Sequence, residues 1–207
     1  SAKRPVCTVS QLQPPEPFVG TEFSVDSAIY FSASTAIYSF NLSLNEISKF
    51  TSFQEKIKKI VTCQACISVV YNSPEGDKIA TYATGSLKRD ELGIDVICDM
   101  NNITWTLQKD LLISFQRKSL DIEECSRIQI PPGHNYNRLF RIGKTVGLYS
   151  STDGCSCYIK NNQLIPFNLI KDATIIRWPA VCTKDKVYIY NNNVEDYEKL
   201  KPTDCVI

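Results

Sequence analysis

Strand signals recur about every ten residues along this chain, each closed by turn-forming residues, and that rhythm restricts the fold more than any other feature. Segments 22–31 and 35–42 open the series. Segments 66–71, 78–84, 92–98, 103–107 and 111–115 follow, then 138–149, 155–160, 164–170, 174–178 and 186–190. The turns between them have a mechanism. In Asn72-Ser73-Pro74-Glu75-Gly76 the proline presets φ and the glycine accepts a positive φ. Asp99-Met100-Asn101-Asn102, Ser151-Thr152-Asp153-Gly154 and Asn161-Asn162-Gln163 play the same part. Gly143, Gly147 and Gly154 are expected at turns and bulges. The pattern predicts a mainly β (α+β) chain, an antiparallel β-sandwich or barrel-like domain. No βαβ rhythm, internal repeat or low-complexity segment is visible.

One interruption is expected. Residues 43–61 read as an amphipathic helix packed on the sheets. Ser43 and Glu46 match a capping box, in which each side chain satisfies the other's orphan amide. Leu44, Ile47, Phe50, Ile57 and Ile60 recur at near-helical spacing, and Lys56, Lys58 and Lys59 suit the negative end of a helix dipole. The expected organisation is a single β-rich domain over residues 1–207. Pro131-Pro132-Gly133-His134-Asn135 is the candidate subdomain boundary, and Gln13-Pro14-Pro15-Glu16-Pro17 is a lead-in outside any sheet.

Nine cysteines are spread from one end of the chain to the other: Cys7, Cys63, Cys66, Cys98, Cys125, Cys155, Cys157, Cys182 and Cys205. The spread predicts a disulfide framework formed in an oxidising compartment, and the odd count leaves one thiol over. An odd cysteine near a terminus, Cys7 or Cys205, would permit a covalent homodimer. Cys63-x-x-Cys66 lacks the helix-start position that lowers a redox thiol's pKa. Cys155-x-Cys157 is expected to bond to two different partners. Asn41-Leu42-Ser43 and Asn102-Ile103-Thr104 are glycosylation sequons. Together these features predict a secreted protein, or one on an extracellular or virion surface. The opening Ser1-Ala2-Lys3-Arg4-Pro5 has no apolar leader core, so no signal peptide is read there, which leaves removal by processing open. No apolar run approaches the ~18 residues of a membrane span. Abundant Ile, Asn, Lys and Tyr beside a single Met and a single His suggest a low-GC gene, as in viruses and parasites.

A net charge of +1 and a pI near 7.4 argue against nucleic acid as the main partner. His134 is the only histidine, so every Ser–His or Cys–His scheme must use it, and no G-x-S-x-G or H-E-x-x-H accompanies it. Walker A and G-x-G-x-x-G loops are missing, and no cofactor is implied. The acidic clusters Asp121/Glu123/Glu124 and Asp90/Glu91 read as exposed loops or edges. What remains is a non-enzymatic binding domain for a macromolecule: a host receptor, cytokine or other surface protein. Tyr136, Arg138, Phe140, Arg141, Lys144 and Tyr149 form the candidate binding stretch, since Tyr and Arg anchor protein interfaces. Alternation puts Arg138 and Phe140 on one face and Arg141 on the other. Tyr188, Tyr190 and Tyr197 are a second candidate. Two rival readings are an intracellular zinc-stabilised viral polyprotein domain using Cys63, Cys66, Cys155 and Cys157, and a carboxylate-dependent hydrolase.

Overall fold

The chain folds as a succession of small antiparallel meanders, each formed by strands consecutive in sequence. A computed structural model describes residues 2–3, 5, 9, 11–19, 28–191, 196–201 and 203–205, with backbone alone at 28 and 203–205. The first sheet comprises β1 (Ala28–Ser32), β2 (Ala36–Asn41) and β3 (Glu46–Ser52). The second comprises β4 (Ile57–Cys63), β5 (Cys66–Ser73), β6 (Gly76–Ala83) and β7 (Ser86–Leu92). The third comprises β8 (Asp95–Cys98), β9 (Thr104–Leu107), β10 (Leu111–Lys118) and β11 (Asp121–Gln129). The fourth comprises β12 (Arg138–Ile142), β13 (Thr145–Tyr149), β14 (Ser156–Lys160) and β15 (Gln163–Phe167). The fifth comprises β16 (Ile175–Arg177), β17 (Ala180–Cys182), β18 (Val187–Ile189) and β19 (Thr203–Cys205), with a short 3-10 turn at Tyr197–Lys199 before β19.

The sheets stack face against face in chain order. Ile37 of the first sheet packs on Ile57, Ile60, Ile67 and Val69 of the second. Val70 and Ile79 of the second meet Val96 of the third. Trp105, Leu107 and Leu112 of the third meet Leu139, Leu148 and Cys157 of the fourth. Phe140, Tyr149, Tyr158 and Phe167 of the fourth meet Ile176, Val181 and Tyr190 of the fifth. The first strands β4, β8, β12 and β16 lie against one another at the inner edge, and that places the sheets as blades around an axis. The expected sandwich or barrel is thereby corrected to a propeller-like arrangement.

The expected helix over residues 43–61 is also corrected, and the reason is specific. These residues form β3 and β4. Asn41, not Ser43, organises the turn: its side-chain oxygen accepts the backbone N–H groups of Ser43 and Leu44, and Asn45 takes φ 54°. In β3, Ile47 and Phe50 go to opposite faces and enter different clusters. In β4 a bulge at Lys58 inserts one residue between the pairs Ile57↔Tyr71 and Lys59↔Val70. Ile57 and Ile60 therefore share a face at a spacing of three, which imitates a helical period.

Cys63-x-x-Cys66 is a hairpin. Gln64 and Ala65 both take positive φ and form its two-residue turn. Cys63 is bonded to Cys98, with Cα atoms 5.5 Å apart, which joins the ends of inner strands β4 and β8. The dense framework expected from nine cysteines reduces to this one bond among the described residues. Cys66, Cys125, Cys155, Cys157 and Cys182 are free thiols. Cys7 lies outside the described residues, as do residues 22–27 of the first expected strand, and nothing is described of the Cys205 side chain. Pro131–Asn135 links the third and fourth sheets, whose faces pack together, so no break in the core falls there. Gly143 (φ 54°) and Gly154 (φ 74°) sit in turns as expected. Gly147 does not. It lies within β13 opposite Phe140, whose ring covers its Cα.

Two outcomes follow. The disulfide closes a sequence separation of 35 residues, which is worth roughly 3–4 kcal/mol of chain entropy. The double variant Cys63→Ala/Cys98→Ala should lose about that much stability in urea denaturation, and alkylation of the urea-unfolded chain without reductant should spare only this pair among the described cysteines. Gly147→Ala would drive a methyl group into the Phe140 ring. It should lower stability by about 1–3 kcal/mol, read from the same denaturation curves.

Candidate functional site

The inner strands line a cavity of about 510 Å³ with Lys59, Cys98, Arg141, Arg177 and Trp178 among others. A second cavity of about 560 Å³ shares Lys59, Leu139, Phe140 and Arg177 and adds Lys58, Asp77, Asp95 and Arg138. Five cationic side chains and two carboxylates thus line these two cavities. Each carboxylate is matched by a lysine: Lys58 Nζ lies 2.7 Å from Asp77 and Lys59 Nζ lies 3.1 Å from Asp95.

Asp95 is the polar centre of this region. It is nearly buried on β8. One carboxylate oxygen accepts the N–H of Leu139 on β12 at 2.8 Å, and the other accepts Val96 N–H and the Lys59 ammonium on β4. One side chain therefore joins the inner strands of three sheets. Asp99 plays a local part. It accepts N–H from Asn101 and Ile103 and the indole N–H of Trp105 at 2.9 Å, fixing the turn into β9.

The three arginines make no ion pair among the described residues. Arg138 donates to the carbonyls of Ala173 and Thr174, and Arg141 donates from Nε to the Cys98 carbonyl at 2.7 Å. Arg177 reaches only the carbonyl of its neighbour Ile176. Carbonyl contacts orient a guanidinium without neutralising it. The two cavities on the inner strands are therefore lined by arginines without carboxylate partners among the described residues, Arg141 and Arg177 in one and Arg138 and Arg177 in the other, in a chain whose net charge is only +1.

The expected binding stretch divides. Arg138, Arg141 and Lys144 are partly or fully exposed, whereas Tyr136, Phe140 and Tyr149 are core residues. The expected alternation along β12 holds: Phe140 packs toward the fifth sheet, while Leu139 packs toward the third, where Arg141 reaches. Tyr190 and Tyr197 of the second candidate are buried between sheets, and Tyr188 is half-buried. Sequence reading did not find Lys59, Asp95 or Arg177, because only the sheet stacking brings Lys59 and Arg177 into one cavity with Arg141 and Asp95 into the other with Arg138.

The acidic clusters are correctly edges. Asp121, Glu123 and Glu124 lie on outer strand β11, where Glu123 pairs with Lys118 and Glu124 with Arg127. Asp90 and Glu91 lie on outer strand β7, held by the Tyr71 hydroxyl and by Arg89. Of the sequons, Asn41 and Asn102 are exposed, and Thr104 is buried in β9.

The four-cysteine zinc set is not assembled: Cys63 is in the disulfide, and Cys155 and Cys157 belong to the fourth sheet. Those two were expected to reach different partners, but residues two apart on a strand share a face, and both line a peripheral cavity of about 500 Å³. There His134 Nδ1 lies 3.2 Å from an Asp153 oxygen. The ligand atoms of His134, Asp153 and Cys155 lie within 4.8 Å of one another. Burial raises the Cys155 thiol pKa and pushes that of Cys157 up to about 11. The Asp153 carboxyl is held well below its ordinary range, first by the Cys155 backbone N–H and then by His134.

Removing the Asp95 carboxylate strands the buried Leu139 N–H and the Lys59 ammonium. Asp95→Ala should lower stability by about 2–3 kcal/mol. Asp95→Asn, which keeps an acceptor, should lose less, and chemical denaturation separates the two.

No protein-family profile and no curated protein matches the chain by sequence. Solved structures do resemble it. A streptogramin B lyase matches with a TM-score of 0.56 at 14% identity, covering 89% of this chain and 66% of that one. A chain in the structure of S. cerevisiae Dbp5 bound to Nup159 and Gle1 matches with 0.54 at 14% identity, covering 88% and 59%. A chain of the mitotic checkpoint complex matches with 0.55 at 10% identity, covering 92% and 72%. This chain thus spans under two thirds of the first two proteins it resembles. At such identities the likeness is one of fold, and it agrees with a propeller-like stack of small sheets.

Proposed function

We propose that this chain is a secreted or surface-exposed, non-enzymatic binding domain whose inner-strand cavities take an acidic segment of a partner protein. The observation that carries the reading is the set of unpaired arginines on the inner strands. Arg141 and Arg177 line one cavity there and Arg138 and Arg177 the other, all three donating to carbonyls and free of carboxylate partners among the described residues. Preorganised guanidinium forks recognise carboxylates bidentately with little ordering cost. A protein partner also suits the fold, since two of the similar structures are multiprotein assemblies. The disulfide between β4 and β8 and the two exposed sequon asparagines support an oxidising compartment. The lyase likeness adds no catalytic residue: the single histidine, His134, lines a different cavity.

Fluorescence titration with a labelled poly-glutamate peptide tests the reading. Binding should weaken as salt is raised. Arg177→Glu, at an exposed position, should weaken it about tenfold, equivalent to ~1.4 kcal/mol, with circular dichroism unchanged. Poly-lysine should not bind. Absence of poly-glutamate binding, or binding indifferent to Arg177→Glu combined with Arg138→Glu, would overturn the proposal.

A further inference from the structure

The peripheral cavity on the fourth sheet carries a group of donors that the axial site does not use. His134 comes from the linker between the third and fourth sheets, Asp153 from the turn after β13, and Cys155 from the entry to β14. The two loops are tied together. Asn137 donates from Nδ2 to the Ser151 hydroxyl and accepts the Ser151 N–H at 3.0 Å. Within the turn, Gly154 N–H reaches the Ser150 carbonyl at 2.8 Å and Ser150 N–H reaches that of Cys155 at 2.9 Å. Gly154 holds φ 74°, and a side chain there would press on Lys171. The donors are therefore held by a pinned frame and not by loose surface loops.

The geometry points to a zinc-binding site formed by His134, Asp153 and Cys155, with its fourth position open to the adjoining cavity. Tetrahedral zinc with bonds of about 2.0–2.3 Å places its ligand atoms roughly 3.3–3.6 Å apart. The present 3.2 Å between His134 Nδ1 and Asp153, and the limit of 4.8 Å across the group, need shifts of roughly an ångström to match. Donor chemistry selects the ion. A thiolate and an imidazole favour zinc over calcium or magnesium, which take oxygen ligands. Supporting contacts are also present. The second Asp153 oxygen accepts the Cys155 N–H at 2.9 Å, and Tyr136 lies beside the His134 ring with centroids 5.7 Å apart. Outer contacts of this kind orient metal ligands. On binding, the Cys155 thiol proton is released to solvent, sulfur takes up the metal, and His134 coordinates as the neutral imidazole. The site differs from the four-cysteine set read from the sequence, because it uses the only histidine and one member of Cys155-x-Cys157.

The test uses the full chain, stripped of metal and kept reduced at Cys155. Titration with Zn²⁺ against a chromophoric chelator should give one equivalent bound. Co²⁺ should produce a thiolate charge-transfer band and the visible absorption of a tetrahedral ion. His134→Ala and Cys155→Ser should each weaken Zn²⁺ binding at least about 100-fold and remove the cobalt bands, whereas Cys182→Ser should change neither. Poly-glutamate binding at the inner-strand arginines should persist in the His134→Ala variant, which separates the two sites. Failure of the native chain to bind stoichiometric Zn²⁺, or native affinity in either the His134→Ala or the Cys155→Ser variant, would overturn the assignment.

Discussion

Apolar burial between neighbouring sheets is the constraint on which the rest of this structure depends. A meander of three or four short strands that is apolar on both faces cannot bury those faces alone. Here the second, third and fourth sheets are each covered on one face by the preceding sheet and on the other by the following one. That arrangement explains why β5, β9, β10 and β13 are buried almost without alternation, although their sheets are antiparallel. It also explains the charges at the outer edge. β7 and β11 carry Lys88, Arg89, Asp90, Glu91, Asp121, Glu123 and Glu124. Charged side chains on an edge strand discourage pairing with another chain.

Stacking of this kind leaves polar chemistry few places to go. The inner strands converge, so any charge on them must be matched or left facing the axis. Asp95 and the two lysines show the matched case. The pair with Lys59 is partly shielded from water, and the Leu139 N–H satisfies a further carboxylate lone pair, which a buried ion pair requires. The arginines show the other case. Their carbonyl contacts hold position and keep charge, and Arg141 is set by the carbonyl of Cys98, a disulfide residue. The covalent bond between β4 and β8 therefore stabilises the stack and also anchors the carbonyl that orients Arg141.

Much of the strand content was legible, because it rests on short-range physics. The turn at Asn72–Gly76 and the Asn161-Asn162 pair are set by residues that tolerate unusual φ, and both hairpins formed where expected. The Gln64-Ala65 turn was not legible, since neither residue signals a turn. The false helix has a physical origin in the bulge at Lys58 and the two-sided burial of β3. Each produces spacings of three in a strand that period-two reading assigns to a helix. The grouping of strands into blades was hidden for a different reason. It recurs about every 40 residues without a shared motif, because interface packing asks only for apolar side chains of compatible volume. Arg138 and Arg141 were visible as an aromatic and basic stretch. Lys59, Asp95 and Arg177 are separated from them by long stretches of chain, and only tertiary structure joins them.

The two cavities differ in what the fold permits at each. Residues on the axis belong to strands whose backbones are fixed by pairing on one side and by neighbouring sheets on the other. A change there disturbs three sheets at once, as the Asp95 contacts require. The His134 group sits on a linker and a turn, where chain can vary without repacking a blade. The Pro131-Pro132-Gly133 sequence suits that position. Two prolines without N–H groups cannot extend β11, and Gly133 takes φ 108°, so the chain leaves the third sheet and presents His134 before β12 begins. The segment that resembles a domain boundary in the sequence is thus a connection between two packed blades. Its break in pairing frees a histidine to meet Asp153 and Cys155 at the rim of the fourth sheet.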